Sequence, residues 1–400
     1  MSEKFDLIIV GGGLAGAALA VALRGSRLAV ALIDSAIPAS GPTKPTAWDN
    51  RVYAYTPASA RFLQTLGIWE RLDRSRLCAV ESMQVHGDGD GRLDFDACDS
   101  GCAELAWIGE SAPLLRELWE SLTRQHNVTV FAPATPKTFT RRDASVEIAL
   151  EDGPTLSAAL AIGADGHDSW LRQAAGIGAH GHSYNQQAIV ANLRTANPHG
   201  RIARQWFRAD GVLAWLPLPG NMVSLAWSAP DDIAAGLMAL SDDDFCQRAA
   251  EAGGRALGDF AIETPRAAFP LRFMRVESIV APRLALTGDA AHGIHPLSGH
   301  GINLGFQDVR ALAGLLNTAG PWEDIGDYTL LRRYARARAE EPFLLQYMTD
   351  GLARLFACRN PLVAKLRNTG LNLTSRLPMA ARLLARYAAN GAAGPFLKPF

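Results

Sequence analysis

Apolar runs that stop abruptly at glycine set the rhythm of this chain. Phe5 to Val10 is continuous and β-branched, as expected of a strand covered on both faces. It breaks at Gly11, and the alanine-rich stretch from Leu14 to about Arg24 predicts a helix. A second buried strand is expected over Leu28–Ile33, ending at Asp34. The same strand-to-glycine pattern returns at Leu160-Ala-Ile-Gly163 and at Arg283-Leu-Ala-Leu-Thr-Gly288. A helix is expected from about Ile302 to Leu316. Roughly Gly181 to Ala281 instead alternates short β-like runs, such as Val212–Leu218 and Met222–Trp227, with Gly and Pro turns, predicting a sheet that interrupts the first fold. Ser35 to Asn50, rich in Pro, Ser and Thr, is expected to be a mobile loop. From Tyr328 onward the pattern is helical. Neither an internal repeat nor a low-complexity tract is evident.

The glycines carry chemistry. Gly11, Gly13 and Gly16 form G-x-G-x-x-G between a strand and a helix. The first permits a tight turn, the second lets backbone approach a pyrophosphate, and the third lets the helix lie against the sheet. Asp34, eighteen residues after Gly16, is placed to accept hydrogen bonds from the ribose hydroxyls of an adenosine. This device fits either a nicotinamide dinucleotide or FAD. The distal motifs favour FAD, a long ligand gripped at both ends. Gly163-Ala-Asp165-Gly166 is a second turn bearing a carboxylate. Asp289, directly after Gly288, suits a polyol such as the ribityl chain. Pro296 then directs the chain, Gly299 and Gly301 leave room for a flat ring, and Asn303 falls in the same stretch. The helix N-terminus there would favour negative charge on a reduced ring.

Together these three motifs resemble the signatures of class A FAD-dependent aromatic hydroxylases, the p-hydroxybenzoate hydroxylase-like group. Further segments resemble the ubiquinone-biosynthesis hydroxylases within it: Asp49-Asn-Arg51-Val-Tyr-Ala-Tyr with Leu66-Gly-Ile-Trp69, Leu213-Ala-Trp-Leu-Pro217-Leu, Phe269-Pro-Leu, and a tail with Phe356, Pro361 and Leu366-Arg-Asn-Thr-Gly-Leu371. The resemblance implies an α/β fold: a Rossmann-like FAD-binding domain from residues 1–75, 100–180 and 283–325. A mainly β substrate domain would come from 76–99 and 181–282, and a helical C-terminal region from 326–400. It implies hydroxylation of a polyprenyl phenol by O2 with NAD(P)H as reductant, and it places Arg51 near the cofactor. Nicotinamide would bind transiently, without a second nucleotide domain. No individual catalytic residue is singled out. His300 departs from the family's usual glutamine, and Asp34 from its frequent glutamate. His300 is either a tolerated polar exchange or a change in the ring's electrostatics.

Composition narrows the alternatives. The chain is 48% hydrophobic with net charge −1, which gives nucleic acid no general attraction. Five scattered cysteines argue against a disulfide framework. His292 and His295 lack companions in a zinc spacing, so no metal site is expected. Trp215 and Trp227 are candidates for a phenol pocket or for core. A strand opening directly at the N-terminus and the lack of a membrane-length apolar run predict a cytoplasmic protein.

The near-neutral total conceals an asymmetry: residues 351–400 carry eight Lys or Arg, among them Lys365 and Arg367, and no Asp or Glu. Interleaved with Leu362, Leu366 and Leu373, they suit peripheral contact with an anionic membrane, each nearby base contributing roughly 1 kcal/mol. A helical cap pairing with an acidic body or partner is the other reading, and a complex with other quinone-pathway proteins fits both. The rival functions are a hydroxylase of a small soluble phenol, a flavin-dependent prenyl reductase and a scaffold that keeps FAD for structure. A halogenase is disfavoured because W-x-W-x-I-P is missing.

Overall fold

The computed structural model describes residues 2–38, 47–208, 210–293, 299, 301–358 and 360–377. Its first organising element is a six-stranded sheet. Its spatial order is Val280–Ala281, Leu284–Leu286, Leu160–Gly163, Leu7–Val10, Val30–Ile33, Val128–Phe131. The last five strands are parallel, and Val280–Ala281 runs antiparallel at the edge. The three strands that end in glycine motifs are immediate neighbours. Val10 pairs with Gly163, and Gly163 pairs with Leu286, so all three turns leave the same sheet edge side by side.

Successive side chains of these strands point to opposite faces, and both faces are covered. Leu7, Ile9, Leu32 and Ile162 pack under helices α1 (Leu14–Ala22) and α2 (Gly301–Thr318). Ile8, Val10, Ala31 and Leu286 pack against Val146, Ile148 and Leu156 of a small, mainly antiparallel sheet. α1 stops two residues short of the expected Arg24, because the chain turns at Gly25-Ser26 and Ser26 Oγ donates to Leu23 O at 2.7 Å. The following strand begins at Val30 rather than Leu28.

A second, nine-stranded sheet holds most of the middle third. From one edge it runs through Ala267–Val276, the long strand Ala179–Thr195, Met222–Pro230, Gly211–Leu218 and Ile202–Arg208. It also recruits Ser82–His86 and Arg92–Asp96. One face buries Leu213, Trp215, Leu225 and Trp227 beneath helices Asp231–Ala239 and Asp242–Ala252. Both tryptophans are fully buried in this cluster, which makes them core. Trp215 rests edge-on against Trp206 and Phe260, ring centroids 4.5 and 4.9 Å away. Trp215→Ala should therefore cost about 3–5 kcal/mol in a denaturant titration. Dinucleotide affinity of the folded fraction should stay unchanged.

The chain closes with α3 (Tyr328–Ala337), α4 (Glu340–Ala357) and α5 (Pro361–Arg376). Arg367 of α5, counted above among the surface bases, is turned inward. It forms a two-pronged ion pair with Asp88, Nε to Oδ1 at 3.0 Å, and its side chain is 4% exposed.

Candidate functional site

The three adjacent turns lie side by side along one sheet edge. Gly11 has φ +102°, a left-handed value, and a Cβ there would lie 2.4 Å from Ala164 O. A Cβ on Gly16 would lie 1.8 Å from Gly11 O, so α1 rests directly on the turn's backbone. Gly13 differs: among the described residues nothing lies within 4 Å of its Cβ direction, and as N-cap of α1 it makes no side-chain cap bond. The helix therefore presents uncapped N–H groups and its positive end to open space, the arrangement an anionic group needs.

Asp34 extends from the neighbouring strand. Its Oδ2 accepts from Gly12 N at 2.6 Å and its Oδ1 from Ala36 N at 2.9 Å, which leaves each oxygen further acceptor capacity. Trp119 locks the same turn by donating from Nε1 to Gly12 O at 2.7 Å.

The second turn holds an orphan. Asp165 Oδ2 accepts from Leu171 N at 3.0 Å, while Oδ1 is buried without a partner among the described residues. A buried acceptor left unpaired is disfavoured, so it points to a donor that the described residues do not supply. Arg172 ties this turn to the third, donating to His167 O at 2.8 Å and Ala290 O at 3.1 Å.

At the third turn Gly288 takes φ +61°, and Asp289 directly after it is reached by solvent. Protein atoms crowd it nonetheless. Lost solvation raises its carboxyl above the ordinary range, against the pull of His292, His167 and Arg51. Arg51 acts on Tyr53 as well, partly offsetting the rise that burial causes in that phenol. It is held by its backbone, N donating to Asp49 Oδ1 at 2.9 Å and O accepting from Ser111 N at 2.9 Å.

Asn303 joins strand Val52–Tyr55 to the start of α2. Its Nδ2 donates to Ala54 O at 2.8 Å and Gly299 O at 3.3 Å, and its Oδ1 accepts from Thr56 N at 3.0 Å and Ser59 Oγ at 2.7 Å. Its side-chain amide is thus engaged within the protein. Gly299 has φ +60° and Gly301 is open in its Cβ direction. Pro296, His295 and His300 lie outside the described residues.

Asp34 and Asp289 leave strands three places apart, about 14 Å at ordinary strand spacing. Uncapped helix N–H groups and the Asp165 orphan lie between them. A dinucleotide lying along the edge can use all of these groups, and the residues present fit FAD.

Fold and glycine turns thus define a dinucleotide-binding protein. The family described as FAD binding domain matches residues 4–342, and the chain belongs to it, with FAD as its cofactor. The chain is 34% identical over 392 residues to the 3-demethoxyubiquinol 3-hydroxylase of Escherichia coli K12, covering 97% of this chain and 99% of that one. It is 34% identical over 384 residues to the ubiquinone hydroxylase UbiL of Rhodospirillum rubrum, covering 96% and 89%. Among solved structures, the p-nitrophenol 4-monooxygenase PnpA of Pseudomonas putida DLL-E4 superposes with a TM-score of 0.77 at 17% identity. That match covers 98% of this chain and 99% of the other and shows the common fold.

Proposed function

We propose that this FAD-dependent monooxygenase hydroxylates the aromatic ring of a polyprenyl phenol in ubiquinone biosynthesis, with NAD(P)H and O2 as co-substrates. The observation that carries the reading is end-to-end similarity to two hydroxylases named for ubiquinone chemistry, in a chain whose three glycine turns, with Asp34, Asp165 and Asp289, leave neighbouring strands of one sheet. Bound FAD supplies the redox chemistry, passing two electrons from NAD(P)H to O2 so that one oxygen atom enters the ring and the other leaves as water.

The protein's part is to bind, orient and shield. Asp34 would hold the adenosine ribose, with Gly11, Gly13 and Gly16 admitting the pyrophosphate to the N-terminus of α1. Asp165 would accept from the cofactor through its unpaired oxygen. Asp289 and Arg51 would hold the ribityl chain and the ring edge, with Gly299 and Gly301 beside the ring. Asn303 would position strand Val52–Tyr55 against the ring through its engaged amide. The parallel-sheet segments would form the FAD-binding domain, and the nine-stranded sheet would wall the substrate.

The assay uses purified protein with FAD, NADH or NADPH, isotopically labelled O2 and a prenylated phenol. One labelled oxygen in the ring is expected. Strong stimulation of NAD(P)H oxidation by a simple hydroxybenzoate alone would favour a soluble-phenol enzyme. Saturation of the prenyl chain without oxygen uptake would favour a reductase.

Peripheral membrane contact through the C-terminal region extends this reading. Among the described residues no helix is long and apolar enough to cross a membrane. Yet α4 exposes Phe343 and Tyr347, and α5 exposes Leu362 (78%) and Leu366 (72%) beside Lys365. An apolar face edged by base suits an anionic surface holding an isoprenoid substrate. Leu362→Glu/Leu366→Glu is expected to lose flotation with anionic liposomes while keeping bound FAD. Equal flotation of both proteins, or of neither, would remove the membrane contact.

A further inference from the structure

Directly behind the Gly288–Ala290 turn lies a closed cluster of charged side chains to which the reaction assigns no part. Asp308 of α2 is its centre. Oδ2 accepts from Gly288 N at 3.0 Å and from His292 Nε2 at 2.6 Å, and Oδ1 accepts from Arg338 Nε at 2.7 Å. Arg338, the residue that closes α3, also donates to Glu341 Oε2 at 2.9 Å and Gln307 Oε1 at 3.1 Å. No side chain among Asp308, His292, Arg338 and Glu341 is more than 6% exposed. Burial opposes charge on His292, but the adjoining Asp308 carboxylate outweighs it and raises the imidazole's pKa. The His292 imidazole and the Arg338 guanidinium thus face the two carboxylates.

Stability alone explains such a cluster poorly. Desolvating each ion is costly, and well-packed apolar side chains of similar volume often serve as well or better; what buried ions can add is a fixed register. Here the register belongs to the segment that presents Asp289. Neighbouring backbone is held from the same side, with Tyr334 Oη donating to Leu286 O at 2.9 Å and Gln346 Nε2 to Gly293 O at 3.2 Å. The strand and the exit are thus held by side chains of α3 and α4, and the turn between them by Asp308 of α2, which Arg338 at the end of α3 backs.

We propose that Asp308, backed by Arg338 and His292, is a positioning residue that sets the direction of the Asp289 carboxylate, so that the C-terminal helices tune the affinity for FAD. The proposal rests on the reading that Asp289 contacts the flavin, and its test separates the two. FAD is stripped from the full chain and rebound, with affinity read from quenching of flavin fluorescence and geometry from the visible circular dichroism of the bound ring. Variants are Asp308→Asn, Asp289→Ala and the double variant, each checked for a cooperative melt. Asp308→Asn should weaken FAD binding about tenfold alone and less than about twofold in the Asp289→Ala background, the non-additivity of groups acting in series. It should also change the dichroism. Equal losses in both backgrounds, or none in either, would overturn the positioning role while leaving Asp289 a flavin contact. An Asp289→Ala protein binding FAD as tightly as wild type would instead remove the underlying reading. Arg338→Lys keeps the charge but lacks the fork that serves Asp308 and Glu341 together, and it is read in the same way if Asp308→Asn does not fold. Failure of both to fold would assign the cluster to stability alone and overturn the proposal.

Discussion

A Gly16→Ala protein is expected to emerge from purification without flavin and with a lowered melting temperature. The added methyl would stand 1.8 Å from Gly11 O and 3.1 Å from Ala164 Cβ. Neither neighbour can yield. Gly11 is already in a left-handed conformation, and its N–H donates to Ile33 O at 2.8 Å, within the sheet. α1 would have to lift away, and Ala17, Ala18 and Val21, which are buried on its inner side, would lose their packing. The uncapped N-terminus would move with them. Gly13→Ala provides the contrast, because its methyl meets no atom of the described residues within 4 Å. That variant should melt almost like wild type yet bind FAD weakly, since the methyl occupies the space assigned to the pyrophosphate. Thermal melts and flavin content of both variants, measured side by side, check the pair. Full flavin content in the Gly16→Ala protein would contradict the packing argument.

Replacing Asp289 should have the second largest effect, confined to the ligand. A hydrogen bond to a charged group contributes about 1.5–3 kcal/mol, so Asp289→Ala should weaken FAD binding roughly 10- to 150-fold. Ligand-free stability should respond in the opposite sense. The folded-state pKa of Asp289 is raised by lost solvation. The folded form therefore retains its proton to higher pH than the unfolded chain, and stability falls as pH rises through the carboxylate range. Asp289→Asn removes that portion of the decline and should leave the ligand-free protein at neutral pH at least as stable as wild type. Denaturation of the flavin-stripped pair across the acidic range checks the sign.

What could be read in the chain follows from where the information lies. Gly11, Asp34, Asp165 and Asp289 stood out because each sits at or just beyond the end of a short apolar run, and such strands announce themselves locally. The adjacency of their three strands did not, because strand order depends on pairing between segments far apart in sequence. The residues missed were of the same kind. Trp119 reaches Gly12 across 107 residues, and Arg172 reaches Ala290 across 118. Arg338 acts on Asp308 from the far side of a helix junction. In sequence none of the three carries a local mark of its distant contact. Trp215 and Trp227 left pocket and core open, because an aromatic on a strand points to one of two faces and composition does not say which face is covered. Arg367 read as a tail base until its partner Asp88 was in view. The small sheet spanning Pro136–Ala158 had passed unread, its strands being short and mostly half-polar.

The central claim is that one flavin dinucleotide lies along the sheet edge, clasped at the Asp34 end and the Asp289 end at once. Equilibrium titration of the flavin-stripped full chain with FAD and, separately, with FMN tests it most directly. One FAD per chain should bind, and FMN, which lacks the adenosine that Asp34 and the first glycine turn are placed to hold, should bind at least tenfold more weakly. Equal affinity for the two, or uptake of neither, would contradict the account.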